Sequence, residues 1–168
     1  MNKPPVKVLF VCLGNICRSP TAHGVFQKLV NEAGLSEQII IDSAGTGDWH
    51  IGHSPDARAQ GKALTRGYDL SSLRARLVTA EDFTEFDYIL GMDDSNMTNM
   101  APFKPAGYGG DFELFLSYGE RSDYREVPDP YYSGDDGFEL VLDLVEQAAA
   151  GLLADIRKRY SLSAPMSS

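Results

Sequence analysis

The stretch Val8-Leu9-Phe10-Val11-Cys12-Leu13-Gly14-Asn15-Ile16-Cys17-Arg18-Ser19-Pro20 constrains the fold of this chain more than any other. Val6, Val8, Leu9, Phe10 and Val11 form an apolar, β-branched run that predicts a buried strand. Ser19-Pro20 followed by Ala22, Val25, Phe26, Leu29, Val30 and Ala33 predicts an amphipathic helix. A thiol therefore stands where a strand gives way to a helix. Gly14 and Asn15 tolerate positive φ, so the loop Cys12-x5-Arg18 can turn the backbone N–H groups of Leu13, Gly14, Asn15, Ile16, Cys17 and Arg18 around one point. Such a ring binds a tetrahedral anion. The helix start aims its positive end at the same place, and Arg18 offers a planar fork to two phosphate oxygens. At the bottom of that ring Cys12 would be held as thiolate, a nucleophile for phosphorus. A plain structural thiol in a glycine turn is the competing reading. It leaves the coincidence of strand, Gly-Asn turn, Arg18 and Ser-Pro helix start unexplained.

With 168 residues the chain fits one domain, and a chain of that size buries about two thirds of its unfolded surface. Its charged share of 23% and hydrophobic share of 43% are those of a globular protein. A net charge of −9 argues against nucleic acid or an anionic membrane as main partner, since either needs a clustered basic surface. Any anion pocket must be built locally. The two cysteines lie in one loop and make no disulfide framework, and Met1-Asn2-Lys3-Pro4-Pro5 lacks the apolar core of a signal peptide. The expectation is a cytoplasmic protein without a membrane span.

Further along, Gln38 to Ser43 predicts a second strand. Ala44 to Gly52 reads as a long loop holding Trp49, and Ser54-Pro55 as the start of a helix running to about Gly67. Thr79 to Asp82 caps a short helix, Tyr88 to Met92 predicts a third strand, and Asp93 or Asp94 caps another short helix. Phe112 to Leu116 predicts a fourth strand. Asp136-Gly137-Phe138-Glu139 reads as a capping box for a long last helix with Phe138, Val141, Leu142, Val145, Ala148, Ala149, Leu152, Leu153 and Ile156 on its apolar face. Strands alternating with helices imply an α/β fold. We expect a single domain over residues 1–160, a central four-stranded parallel sheet with helices on both faces, and a phosphate-binding loop after the first strand. Residues 161–168 are expected to be a disordered tail.

Transfer of a phosphoryl group to sulfur needs an acid for the leaving oxygen and a base for the attacking water, and one carboxyl group can serve both. Asp129, stiffened by Pro128 and Pro130 and followed by Tyr131 and Tyr132, is the candidate. Trp49 and Tyr131 could wall an aryl ester, or could be core aromatics. Asn15, Ser19 and Ser43 are polar groups suited to holding a strained loop. His50-x-x-His53 with Asp48 nearby lacks a third ligand on a rigid element, so His23, His50 and His53 read as solvated and no metal or cofactor is expected. Arg74 and Arg76 read as surface charges.

Val-Cys-Leu-Gly-Asn-Ile-Cys-Arg-Ser-Pro, with Phe86-Asp87-Tyr88-Ile89-Leu90, Met92-Asp93 and Asp129-Pro130-Tyr131-Tyr132 downstream, resembles the low-molecular-weight protein tyrosine phosphatases along nearly the whole chain. The resemblance implies hydrolysis of phosphotyrosine through a cysteinyl-phosphate, with Cys12, Arg18 and Asp129 catalytic. It implies Trp49 and Tyr131 beside the substrate ring, Tyr132 as an outer contact, and Ser19 assisting Cys12 as leaving group. It also implies phosphotyrosine proteins as partners, a tyrosine kinase acting on the Tyr131-Tyr132 pair, and Cys17 trapping oxidised Cys12 as a disulfide. The expected state is a monomer. Where the family completes its loop-supporting network with a histidine, this chain reads Leu70-Ser71-Ser72-Leu73, with Ser72 nearest in place. Arsenate reductases of the same fold relay a disulfide to later cysteines, which are missing here. Protein-arginine phosphatases carry Thr where this chain has Ile16, and lack the second Tyr.

Overall fold

The computed structural model describes residues 4–119, 124–130 and 134–162. Its centre is β1 (Val6–Cys12), in which Val8, Leu9, Phe10 and Val11 are fully buried. A strand covered on both faces must be flanked by helices, and its parallel neighbours need crossovers. On one side β1 pairs with β2 (Ile39–Gly45), Val8 opposite Ile41; on the other with β3 (Tyr88–Gly91), Val8 opposite Tyr88. Beyond β3 lies β4 (Asp111–Leu114), and all pairings are parallel in the order β2-β1-β3-β4. The chain leaves β1 toward one edge and returns on the other, so the carboxyl end of β1 is the switch point where α/β sheets hold ligands.

The period of two along β1 and β3 divides the interior into two cores. Val8, Phe10, Tyr88 and Leu90 face α1 (Arg18–Glu32) and α5 (Asp135–Arg159) through Val25, Phe26, Val145 and Leu152. Leu9, Val11 and Ile89 face the opposite way, onto Val78, Phe83 and Met100 beside α3 (Asp82–Glu85) and α4 (Asp94–Met100). Each fully buried large side chain contributes about 1.5–3 kcal/mol, so both layers hold the strand end rigid.

Four boundaries differ from the sequence expectation, each for a local reason. The helix after the Trp49 loop, α2 (Ala57–Thr65), is capped by Asp56 rather than Ser54. Asp56 accepts the N–H groups of Arg58 (2.8 Å) and Ala59 (3.2 Å), while its own N–H is drawn off to the Ile16 carbonyl (2.8 Å). The fourth strand stops at Leu114; Phe115 and Leu116 enter a 3-10 turn, Phe115–Tyr118, that buries both against α5. The last helix starts at Asp135 after Gly134, without the capping box at Asp136, because Glu139 is engaged by Arg66 of the α2 terminus at 2.5 Å. Finally, Ser161 takes a left-handed φ of 54° and Leu162 folds back onto the core, so packing continues past residue 160; residues 163–168 lie outside the described residues.

Candidate active site

Cys12 ends β1, and the loop it opens is held from outside by its carbonyls. The Cys12 carbonyl accepts the Thr46 N–H (3.0 Å), that of Leu13 the Gly47 N–H (2.8 Å), and that of Ile16 the Asp56 N–H (2.8 Å). Across a planar trans peptide the N–H points opposite to the carbonyl. The N–H groups of Leu13, Gly14 and Cys17 therefore face away from those outer partners, into the ring. The Cys17 side chain makes no capping hydrogen bond to α1, so the first turn of that helix adds backbone donors and the positive end of its dipole.

Asn15 is the hinge of the loop, in the left-handed region at φ 57°. Such a conformation is strained for a residue with a Cβ and persists only when the surroundings enforce it. Here the Asn15 amide donates to Ser19 Oγ (2.8 Å) and its carbonyl oxygen accepts the Arg76 backbone N–H (3.0 Å). The Asn15 N–H donates to Cys12 Sγ at 3.3 Å, and Ser19 Oγ lies 3.0 Å from the same sulfur and 3.4 Å from the Ala44 carbonyl. Gly45 makes this closeness possible. A Cβ there would lie 2.8 Å from the Leu13 carbonyl oxygen and 3.1 Å from the Asn15 nitrogen.

Arg18 is only 3% exposed, and a charge so buried needs partners. Its Nη1 donates to Asp93 Oδ2 (2.6 Å) and the Val127 carbonyl (3.0 Å), and its Nη2 lies 3.7 Å from Asp129 Oδ2. Burial opposes the charge, but Cys12, Asp93 and Asp129 outweigh it and raise the guanidinium pKa. Asp93 is fixed in turn as the N-cap of α4, in a capping box with Asn96. The Val127 N–H donates to the Met92 carbonyl (2.8 Å), which ties the Asp129 segment to the end of β3. Asp129, 46% exposed at its side chain, thus stands at the mouth beside Arg18.

These groups surround a cleft of about 330 Å³, lined by Cys12, Leu13, Gly14, Ile16, Cys17, Arg18, Trp49, His50 and Asp129. Trp49 is 67% exposed at its rim, its ring lying on Gly47. His50 packs on Gly14, where a Cβ would lie 3.0 Å from the imidazole. Cys17 is buried beneath the loop with Ile16, Ala59, Ala75 and Phe138; burial first, then Asp56, pushes its thiol pKa from 9.0 to about 12. Tyr131 and Tyr132 lie outside the described residues.

Other expected residues sit elsewhere. Ser43 lies on β2 with its hydroxyl 3.2 Å from His23 Nδ1 rather than on Asn15 or Ser19, and Ser72 is exposed, lining a separate cleft with His23 and Tyr68. The Arg76 N–H occupies the Asn15 oxygen instead. His23 is no solvated surface group: it is packed between α1 and β2, and burial lowers its pKa against the pull of Asp42. Nor is Arg76 a free surface charge, for it bridges Asp42 and Asp82. His50 and His53 have rings 5.8 Å apart, and among the described residues no group of three His, Cys, Asp or Glu could hold a metal ion. Sequence reasoning assigned no site role to Asp93, Gly45, Arg76 or His50. Only Asp93 carried a usable signal, an acid at the carboxyl end of a predicted strand.

The sequence model of the low molecular weight phosphotyrosine protein phosphatases matches residues 7–162. Among curated relatives, the low molecular weight protein-tyrosine-phosphatase YfkJ of Bacillus subtilis is 42% identical over 160 residues, covering 94% of this chain and 99% of that one. A solved protein tyrosine phosphatase from Entamoeba histolytica superposes with a TM-score of 0.88 at 39% identity, over 92% of this chain and 99% of that one. A structure described as a Drosophila arginine phosphatase reaches a TM-score of 0.83 at 33% identity, over 90% and 98%. With the ring, its cysteine and its arginine in place, the chain belongs to the low-molecular-weight protein tyrosine phosphatases.

Proposed function

We propose that this phosphatase works through Cys12, Arg18 and Asp129 as nucleophile, phosphate clamp and general acid. The observation that carries the reading is the ring itself, with Cys12 Sγ at its base and Arg18 and Asp129 at its wall. A phosphotyrosine dianion enters the ring, its nonbridging oxygens on the loop N–H groups and Arg18. Cys12 sulfur attacks phosphorus as the bond to the tyrosyl oxygen breaks, and Asp129 gives that oxygen its proton. Asp129, now a carboxylate, takes a proton from water as the water oxygen attacks phosphorus. The P–S bond breaks, sulfur leaves with Ser19 Oγ beside it, and phosphate departs. Donors already in place supply stabilisation without reorganisation.

Trp49 is one wall of the aryl site, with Tyr131 as the other and Tyr132 outside it. Phosphoproteins are the substrate class of the family, and a tyrosine kinase acting on the Tyr131-Tyr132 pair is its regulatory counterpart. Cys17 is the resolving thiol for oxidised Cys12; with its pKa pushed up to about 12 it reacts slowly, as a reserve rather than a second nucleophile. Ser43 and Ser72 act at most through the elements that carry the loop. We place the protein in the cytoplasm as a monomer; among the described residues no helix is long and apolar enough to cross a membrane.

The test is turnover of para-nitrophenyl phosphate, a phosphotyrosine peptide and a phosphoarginine peptide by the parent and by Cys12→Ser. Expected are hydrolysis of the first two, no dependence on chelator, and none by the variant. Activity abolished by EDTA and restored by a divalent ion, or selective hydrolysis of phosphoarginine, would overturn it.

A further inference from the structure

Outside the cleft, a cluster of three charged side chains has no place in the chemistry above. Arg76 follows Ala75 in the extended stretch that runs beside the end of β2, where Leu77 bridges Gly45. Its Nε donates to Asp42 Oδ2 on β2 (3.0 Å), and its Nη1 and Nη2 donate to both oxygens of Asp82 at the start of α3 (3.1 and 3.0 Å). Each carboxylate is itself held by backbone: Asp42 accepts the Ser43 N–H (2.8 Å), and Asp82 the Thr79 N–H (2.9 Å). A guanidinium in a bidentate pair on one side and a single bond on the other is fixed in plane and position.

The backbone of the same residue does the rest. The Arg76 N–H donates to Asn15 Oδ1 (3.0 Å), and the Arg76 carbonyl accepts the Gly45 N–H (2.8 Å). Asn15 is the strained residue of the loop and Gly45 is the residue against which the loop closes. Displacing the backbone of residue 76 would therefore weaken both supports at once. With its side chain less firmly anchored, the left-handed backbone of Asn15 relaxes toward the usual region, which turns the Asn15 backbone N–H away from Cys12.

We propose that Arg76 is a positioning residue for phosphoryl transfer: clamped by Asp42 and Asp82, it never reaches the cleft, yet it sets the curvature of the phosphate ring through Asn15 and Gly45. The proposal rests on the ring being the phosphatase site.

The experiment measures kcat, KM and the inhibition constant of inorganic phosphate for the parent, Arg76→Met, Arg76→Lys and Asp82→Asn, well below each melting temperature. Arg159→Met serves as control, because it removes a surface ion pair to Asp111 that is remote from the loop. A displaced ring in Arg76→Met should weaken phosphate inhibition and lower kcat/KM by about tenfold to 10²-fold. Arg76→Lys, a point charge that cannot span both carboxylates, should fall between. Asp82→Asn keeps one acceptor oxygen for the Thr79 N–H and one Arg76 N–H but turns the other into an amide donor that cannot accept from Arg76, so it weakens the clamp and should move the phosphate constant in the same direction even if Arg76→Met fails to fold. The Arg159→Met control should change neither constant. Unchanged phosphate inhibition and kcat in Arg76→Met, or in Asp82→Asn if the former does not fold, overturns the inference while an active parent leaves the phosphatase reading standing. A parent without turnover removes both.

Discussion

Cys12 and Cys17 share one loop, yet their surroundings assign them different chemistry. The Cys12 sulfur accepts the Asn15 N–H and lies beside the Ser19 hydroxyl at the base of the cleft, whereas Cys17 packs among apolar groups with Asp56 nearby. In the unfolded chain Cys17 releases its proton near 9.0, and in the folded chain only near about 12. Between those values folding takes up a proton, so stability must fall as pH rises from 9 toward 12. Cys17→Ser should flatten that part of the dependence; urea unfolding of parent and variant at a series of alkaline pH values checks it, and identical slopes would count against it. Asp93 separates two roles in one residue. Asp93→Ser keeps an N-cap oxygen for α4 but removes the charge paired with Arg18, while Asp93→Ala removes both. Both should weaken phosphate inhibition, and only the alanine should also cost the cap, about 0.5–2 kcal/mol. Phosphate inhibition constants measured beside thermal unfolding curves distinguish these losses.

At the scale of elements, two glycines mark where backbones meet too closely for any side chain. Gly45 on β2 faces the loop, and Gly151 on α5 faces the 3-10 turn, where a Cβ would collide with the Tyr118 carbonyl oxygen. Gly45→Ala should therefore impair catalysis more than stability, because the displaced part is the ring. Gly151→Ala should do the reverse, because it parts α5 from the turn and leaves the cleft alone. Activity per folded molecule, set beside the melting temperature, checks both. These contacts could not be read in advance, whereas the elements themselves largely could. The β1 run is buried as its pattern predicted, and the α1 face and the α5 stripe pack on the core with Leu29, Ala33 and Leu153 only partly covered, since each element is long and its pattern strong. The failures were at ends. Phe115 and Leu116 have strand-like composition, but a 3-10 turn buries them better against α5; Ser54 has cap chemistry, but Asp56 sits where a bond to Ile16 fixes the backbone. Tertiary contacts decide boundaries, and a local window does not contain them.

The whole molecule gathers its site from stretches far apart in sequence, and that separation explains what could be read and what could not. Cys12, Gly14, Asn15, Arg18 and Ser19 lie in one motif and were legible together. Gly45, Arg76 and Asp93 are 27, 58 and 75 residues or so from Arg18 by their numbers, and no spacing rule links them to it. The sheet does, by placing the ends of β1, β2 and β3 along one edge. Asp129 lies farther still, carried by a segment tied to the site by the Val127 N–H on Met92 and the Val127 carbonyl on Arg18, and to the start of α4 by Arg125 and Glu126 on Asp94. Its placement at the mouth beside the clamp suits a group that must reach the leaving oxygen of a substrate larger than phosphate. If it is the acid, Asp129→Asn keeps the shape of the loop and removes the transferable proton. Turnover of phosphotyrosine should then fall by about 10² to 10⁴, and the loss should shrink for para-nitrophenyl phosphate, whose phenolate leaves with little need of a proton. Parallel steady-state measurements on the two substrates, with phosphate inhibition recorded to show an intact ring, decide the matter. An equal loss on both substrates would make Asp129 a structural partner of Arg18 and leave the acid to be found elsewhere.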